Sequence, residues 1–103
     1  MWFLGIKINE PAADLGIALT VASSYKSIPL AKGLVAIGEI GLTGEIRAVN
    51  SIEKRVREAE KLGFQTCVIP DSSKKQLKYA GKMNIVGVKD IGEALRVVGL
   101  KER

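Results

Sequence analysis

The stretch that decides the fold runs from Gly38 to Pro70, GEIGLTGEIRAVNSIEKRVREAEKLGFQTCVIP. Gly38-Glu39-Ile40 continues the apolar run Leu34-Val35-Ala36-Ile37 as a strand, Leu42-Thr43-Gly44 carries turn residues, and Glu45 to Val49 reads as a second strand. Asn50, with Glu53 three positions later, has the capping-box spacing. Ile52, Val56, Ala59 and Leu62 then form one stripe that stops at Gly63. The opposite face carries Lys54, Arg55, Glu58 and Lys61, and Glu53 stands four residues before Arg57, the spacing of a helical ion pair. Thr66-Cys67-Val68-Ile69, closed by Pro70, is the next apolar strand. A strand, an amphipathic surface helix and a second strand in this order predict a helix laid on a parallel pair.

Downstream the alternation repeats. Ser73 with Gln76 opens a short helix expected to reach Gly81, Asn84 to Val88 is a further strand, and Asp90 with Glu93 caps a final helix before Gly99. Upstream, Gly5 to Ile8 alternates as a short strand and Pro11 stands at a plausible first helical position. Ala12 to Ser24 is apolar on nearly every side, which predicts a central helix buried over most of its surface. Pro29 and Gly33 interrupt the chain before the next strand. There is no internal repeat or low-complexity segment, so residues 1–103 form a single domain.

Hydrophobic residues make up 47% of the chain and aromatics only 5%, so the core is built from Val, Ile, Leu and Ala. The single cysteine, Cys67, lies in an apolar strand and reads as a buried structural thiol. With one Cys and no His there is no disulfide framework, no His/Cys metal site and no Ser-His-Asp triad. No Gly-Lys-Ser/Thr phosphate loop follows a strand, so ATP is not bound by that route and no cofactor is expected. No run approaches the roughly 20 apolar residues of a membrane span, and Met1 to Gly5 lacks a basic leader. A soluble, cytoplasmic chain is expected. A Ser–Lys arrangement is the common hydrolytic chemistry left, with Ser51 and Lys54, or Ser23 or Ser24 with Lys26, as its candidates.

EPAADLGIALTVASS (residues 10–24) followed by the Gly38–Pro70 stretch resembles the Lon-protease-like carboxy-terminal domain of the bacterial RadA/Sms DNA-repair family, from Gly5 to about Gly99. The resemblance implies an α/β (α+β) fold of the Lon-protease-like, ribosomal-protein-S5-domain-2 type, with helices packed on a mixed sheet. Lon itself carries a catalytic serine in a Pro-Ser-Ala-Gly turn and a lysine after a Gly-Glu-Ile strand. Matching those motifs puts Ala12 at the serine position and Glu53 at the lysine position. Neither can do the chemistry: a methyl is no nucleophile and a carboxylate is no neutral amine base. The resemblance thus implies a degenerate site in a module that is not an enzyme. It also implies an upstream zinc motif and a RecA-like ATPase core, which these residues do not contain, so a truncated or separately encoded fragment is expected.

A net charge of +5 and a pI near 9.5 favour polyanions. Arg47, Lys54, Arg55, Arg57 and Lys61 are the candidate DNA contacts, with Lys74, Lys75 and Lys78 as a second cluster. Glu53, Glu58 and Glu60 dilute the first group, so a solvated, salt-bridged helix fits the same pattern. Without interleaved aromatics, binding is expected to be directed at the backbone and tolerant of sequence. Ring assembly as a homo-oligomer, in a role in recombination and repair, is carried over from the resemblance. A purely structural oligomerisation domain and an active Ser–Lys peptidase are the rival readings.

Overall fold

The computed structural model describes the backbone of residues 2–3, 6–7 and 10–102 and the side chains of residues 10–102. Trp2–Phe3 (β1) and Ile6–Lys7 (β2) form an antiparallel pair, and Gly5 and Ile8 of the expected first strand lie outside the described residues. A single 3-10 turn, Pro11–Ala13, leads into helix α1, Asp14–Lys26. Then come β3 (Leu34–Ala36), β4 (Glu39–Ile40), β5 (Ile46–Arg47), α2 (Ile52–Lys61), β6 (Thr66–Pro70), α3 (Asp71–Lys74), β7 (Asn84–Val88) and α4 (Ile91–Val97).

Strands β3, β6 and β7 form a parallel sheet in that spatial order, with Val35, Cys67 and Ile85 in one register row and Ala36, Val68 and Val86 in the next. Successive side chains of a strand point to opposite faces, so the rows separate into two apolar layers. Val35, Ile37, Cys67, Ile69 and Ile85 pack with Ile52, Val56 and Ala59 of α2. Ala36, Val68, Val86 and Val88 pack with Leu15 and Leu19 of α1 and with Ile91, Ala94 and Leu95 of α4. The result is an α/β fold with helices on both faces of the parallel sheet. The antiparallel pairings lie in the β1–β2 and β4–β5 ribbons, and the second ribbon is tied to the chain leaving β7 by an antiparallel bridge between Glu45 and Asp90.

The continuous strand expected from Leu34 to Ile40 divides in two, because its end is diverted to the Pro11–Ala13 turn. Gly38 N–H donates to Ala12 O and Leu15 N–H donates to Gly38 O, both at 2.9 Å, while Ile40 N–H donates to the Asp14 carboxylate at 3.1 Å. A β-carbon on Gly38 would stand 2.9 Å from Ile46 Cγ2 and 3.3 Å from Leu15 Cδ2, so the close crossing needs glycine. Helix α1 is not buried all round. Leu15, Gly16 and Leu19 are inside, whereas Val21 is 61% and Tyr25 84% exposed, since no described element covers that face.

Two further expectations fail locally. The Asn50–Glu53 capping box does not form: Ser51 caps α2 in a left-handed conformation with no side-chain bond, and Glu53 turns to the amide of Lys78 instead. The helix expected to run to Gly81 stops after one turn. Ser73 does not open it but sits inside it, where its buried Oγ accepts the Val49 N–H at 3.2 Å. The Asp90–Glu93 cap forms as read, with Asp90 Oδ1 accepting the Glu93 N–H at 2.7 Å.

The β4–β5 ribbon turns on Gly44, in the left-handed region at φ 86°. Glu45 clips the turn: its carboxylate lies over Gly41, where a β-carbon would collide with it, and accepts from the Thr43 hydroxyl and N–H. Chiefly the Thr43 hydroxyl bond, then the backbone amides and Arg47, lower the Glu45 pKa from 4.5 to about 2. A depressed folded-state pKa stabilises the ribbon above pH 4.5, and the effect fades as the pH falls through about 2. NMR titration should find Glu45 the most acidic glutamate of the chain, and Thr43→Val should move its pKa back toward 4.5. A Glu45 that titrates normally in the parent would refute the clip.

Candidate nucleic-acid interface

Helix α2 fixes most of the candidate cations. Its apolar stripe faces the sheet, with Val56 fully buried and Ala59 nearly so, which turns Lys54, Arg57 and Lys61 outward at i, i+3 and i+7. These three line one open depression of about 600 Å³, together with Ser51, Ile52, Glu53, Glu58 and Gln76. Leu62, which the sequence places in the stripe, is instead 55% exposed at the helix end.

Arg55 leaves that group. Its guanidinium is drawn inward, paired with Glu10 and bonded to Asn50 Oδ1 at 3.0 Å, while Nε donates to Asn50 O at 2.9 Å. Arg47 stays on the β4–β5 ribbon, where it pairs with Glu45 at 3.2 Å. The second cluster is also split. Lys75 pairs with Asp71 at 3.5 Å, Lys74 lies against Gly87 of β7, and Lys78 comes alongside α2, its N–H donating to Glu53 Oε1 at 3.3 Å. The structure therefore gathers Lys54, Arg57 and Lys61 in one depression, with the backbone of Lys78 beside it at Glu53.

The two positions matched to the Lon serine and lysine line different depressions. Ala12 is buried in its turn and lines a small cleft with Glu10, Pro11, Glu39, Ala48, Val49, Asn50 and Arg55. Glu53 lines the cationic depression instead. The charged side chain of α2 that meets the Ala12 turn is thus Arg55, and Glu10, which no local pattern links to α2, is its partner. Only the proximity of an acidic residue to the Pro11 turn hinted at it. Of the other Ser–Lys candidates, Ser23 Oγ donates to Ile28 O, and Lys26 Nζ donates to Leu100 O at 2.7 Å. Among the described residues no group of three or more His, Cys, Asp or Glu side chains could hold a metal, and no helix is long and apolar enough to cross a membrane.

The chain matches a family described as subunit ChlI of Mg-chelatase over residues 5–73. It is 50% identical over 92 residues to the DNA repair protein RadA of Listeria monocytogenes, covering 89% of this chain and 20% of that protein. RadA of Streptococcus pneumoniae is 45% identical over 94 residues, covering 91% and 22%. RadA of Halalkalibacterium halodurans is 44% identical over 93 residues, covering 90% and 20%. The chain spans about a fifth of the length of these curated relatives.

The one thiol of the chain is free and buried. Cys67 is fully buried in β6, and desolvation pushes its pKa up from 9.0 to about 12. A thiol reagent at pH 8 should leave the folded chain unlabelled and modify one cysteine per chain in denaturant. Prompt labelling of the native protein would contradict this burial.

Proposed function

This chain belongs to the family described as subunit ChlI of Mg-chelatase and, within it, to the carboxy-terminal region of the RadA DNA repair proteins, and on that premise we propose that it is a non-catalytic, Lon-protease-like module that grips the DNA backbone and supports homo-oligomeric assembly. The observation that carries the DNA reading is the depression along α2, where Lys54, Arg57 and Lys61 project together and are exposed. Its lining is polar or charged apart from Ile52, with no ring for base stacking, which suits phosphates rather than bases. Glu53 and Glu58 share the lining and keep the attraction moderate. Assembly has a separate support in the exposed Val21 and Tyr25, one turn apart on α1, a face that a neighbouring subunit would cover.

Each lysine or arginine that neutralises a phosphate steepens the salt dependence of binding by about 0.9 in log–log slope. Replacing Lys54, Arg57 and Lys61 together by Ala should weaken oligonucleotide binding and flatten that slope by roughly 2 to 3, with an unchanged circular-dichroism spectrum. A parental slope in the triple variant would sink the DNA reading.

Loss of catalysis follows from two side chains. Ala12 offers a methyl where a nucleophile is needed, and position 53 faces the depression, away from the Ala12 cleft. The purified chain should hydrolyse neither casein nor fluorogenic peptides, and Ala12→Ser with Glu53→Lys should remain inert. Turnover that disappears in Ser51→Ala would restore the peptidase reading.

A further inference from the structure

After α3 ends at Lys74, the chain has no regular structure until β7 begins at Asn84, yet it is held close to α2. From below, Leu77, Tyr79 and Met83 pack into the same apolar layer as Val56 and Ala59. From the side, two carboxylates of α2 hold it: Glu53 accepts the Lys78 N–H, and Glu60 accepts the Tyr79 hydroxyl. The same phenol oxygen accepts the Met83 N–H at 3.0 Å, so one side chain ties together the ends of the span 79–83. Gly81 makes room for this, because a β-carbon there would overlap the Tyr79 hydroxyl and the Glu60 carboxylate. Partial burial, and then Glu60, raise the Tyr79 pKa, so the phenol stays a donor at any ordinary pH.

We infer that Tyr79, through its bond to Glu60, positions residues 75–82 as the second bank of the cationic depression, so that Lys78 joins Lys54, Arg57 and Lys61 on one DNA backbone. The inference rests on the DNA-binding reading above. Gln76, from the same segment, already lines the depression with the α2 cations, which puts the segment at its rim. Lys78 follows two residues later, exposed and anchored to α2 only by its backbone amide, leaving its ammonium group available to a phosphate. An unanchored segment would lose that advantage, because a lysine on a freely moving loop must be ordered at binding and the lost conformational freedom opposes association. Tyr79 is thus a positioning residue, acting on DNA through Lys78.

The test is a double-mutant cycle read as salt slope with a short oligonucleotide. Lys78→Ala in the parent should flatten the slope by about one phosphate contact. In a Tyr79→Phe background the same substitution should have little further effect. Gly81→Ala, which disturbs the bond without altering any charge or removing the phenol, should reproduce the Tyr79→Phe result. Amide exchange supplies a readout independent of DNA. The Lys78 amide, bonded to Glu53 and not to Tyr79, should exchange faster in both variants while the α2 amides keep their protection. An unchanged Lys78 amide, or a Lys78→Ala effect equally large with and without the phenol, overturns the positioning role. A triple α2 variant that keeps the parental slope overturns the DNA reading itself, which separates the two failures.

Discussion

The burial of β6 on both of its faces is the constraint on which the remaining structure depends. Cys67, Val68 and Ile69 are shut off from solvent, each contacting a layer of its own parity. Burying an aliphatic side chain of this size contributes about 1.5 to 3 kcal/mol, and a domain of this length has a net stability of only about 5 to 15 kcal/mol. A strand whose consecutive residues all need apolar partners cannot lie at an edge or face water. It must run through the middle, flanked by β3 and β7 and covered by helices above and below.

That central position also decides where the connections run. The sheet order β3-β6-β7 proceeds in one direction, and parallel connections overwhelmingly share one hand. The crossover through α2 and the one through α3 and residues 75–83 therefore reach the same face, as their common apolar layer confirms. Two segments that are unrelated in sequence come to lie side by side. Their outer surfaces then form one electrostatic environment, with the α2 cations facing the lysine-bearing segment across a depression.

The side of α2 that carries Arg55 serves a different purpose. There Gly38 is bound by one backbone hydrogen bond to Ala12 of the Pro11–Ala13 turn and by another to Leu15 of α1, and Arg55 and Glu10 join α2 to the chain entering that turn. A partly buried guanidinium must find acceptors, and Glu10 with Asn50 provides them. An arginine committed in this way has little left to offer a phosphate. Residues 53 and 55 are two apart on the helix and so project to well-separated directions, which is why one meets the segment at Lys78 and the other the Ala12 turn.

The sequence by itself determined the alternation of strands and helices, the apolar stripe of α2, the Asp90 cap and the buried thiol, because each rests on local periodicity or on a hydrogen bond spanning three residues. The α/β class follows from that alternation. Tertiary structure alone decided the break between β3 and β4, the single turn of α3 and the partner of Glu53, since in each a backbone, hydroxyl or carboxylate group is claimed by a residue far along the chain: Gly38 by Ala12, Ser73 by Val49, Glu53 by Lys78. It likewise sorted the candidate cations, leaving Lys54, Arg57 and Lys61 together in one depression and pairing Arg47, Arg55 and Lys75 with carboxylates elsewhere. Charge in a sequence is a count, whereas the field at a surface depends on which cations have already found an anion, and that is set by packing.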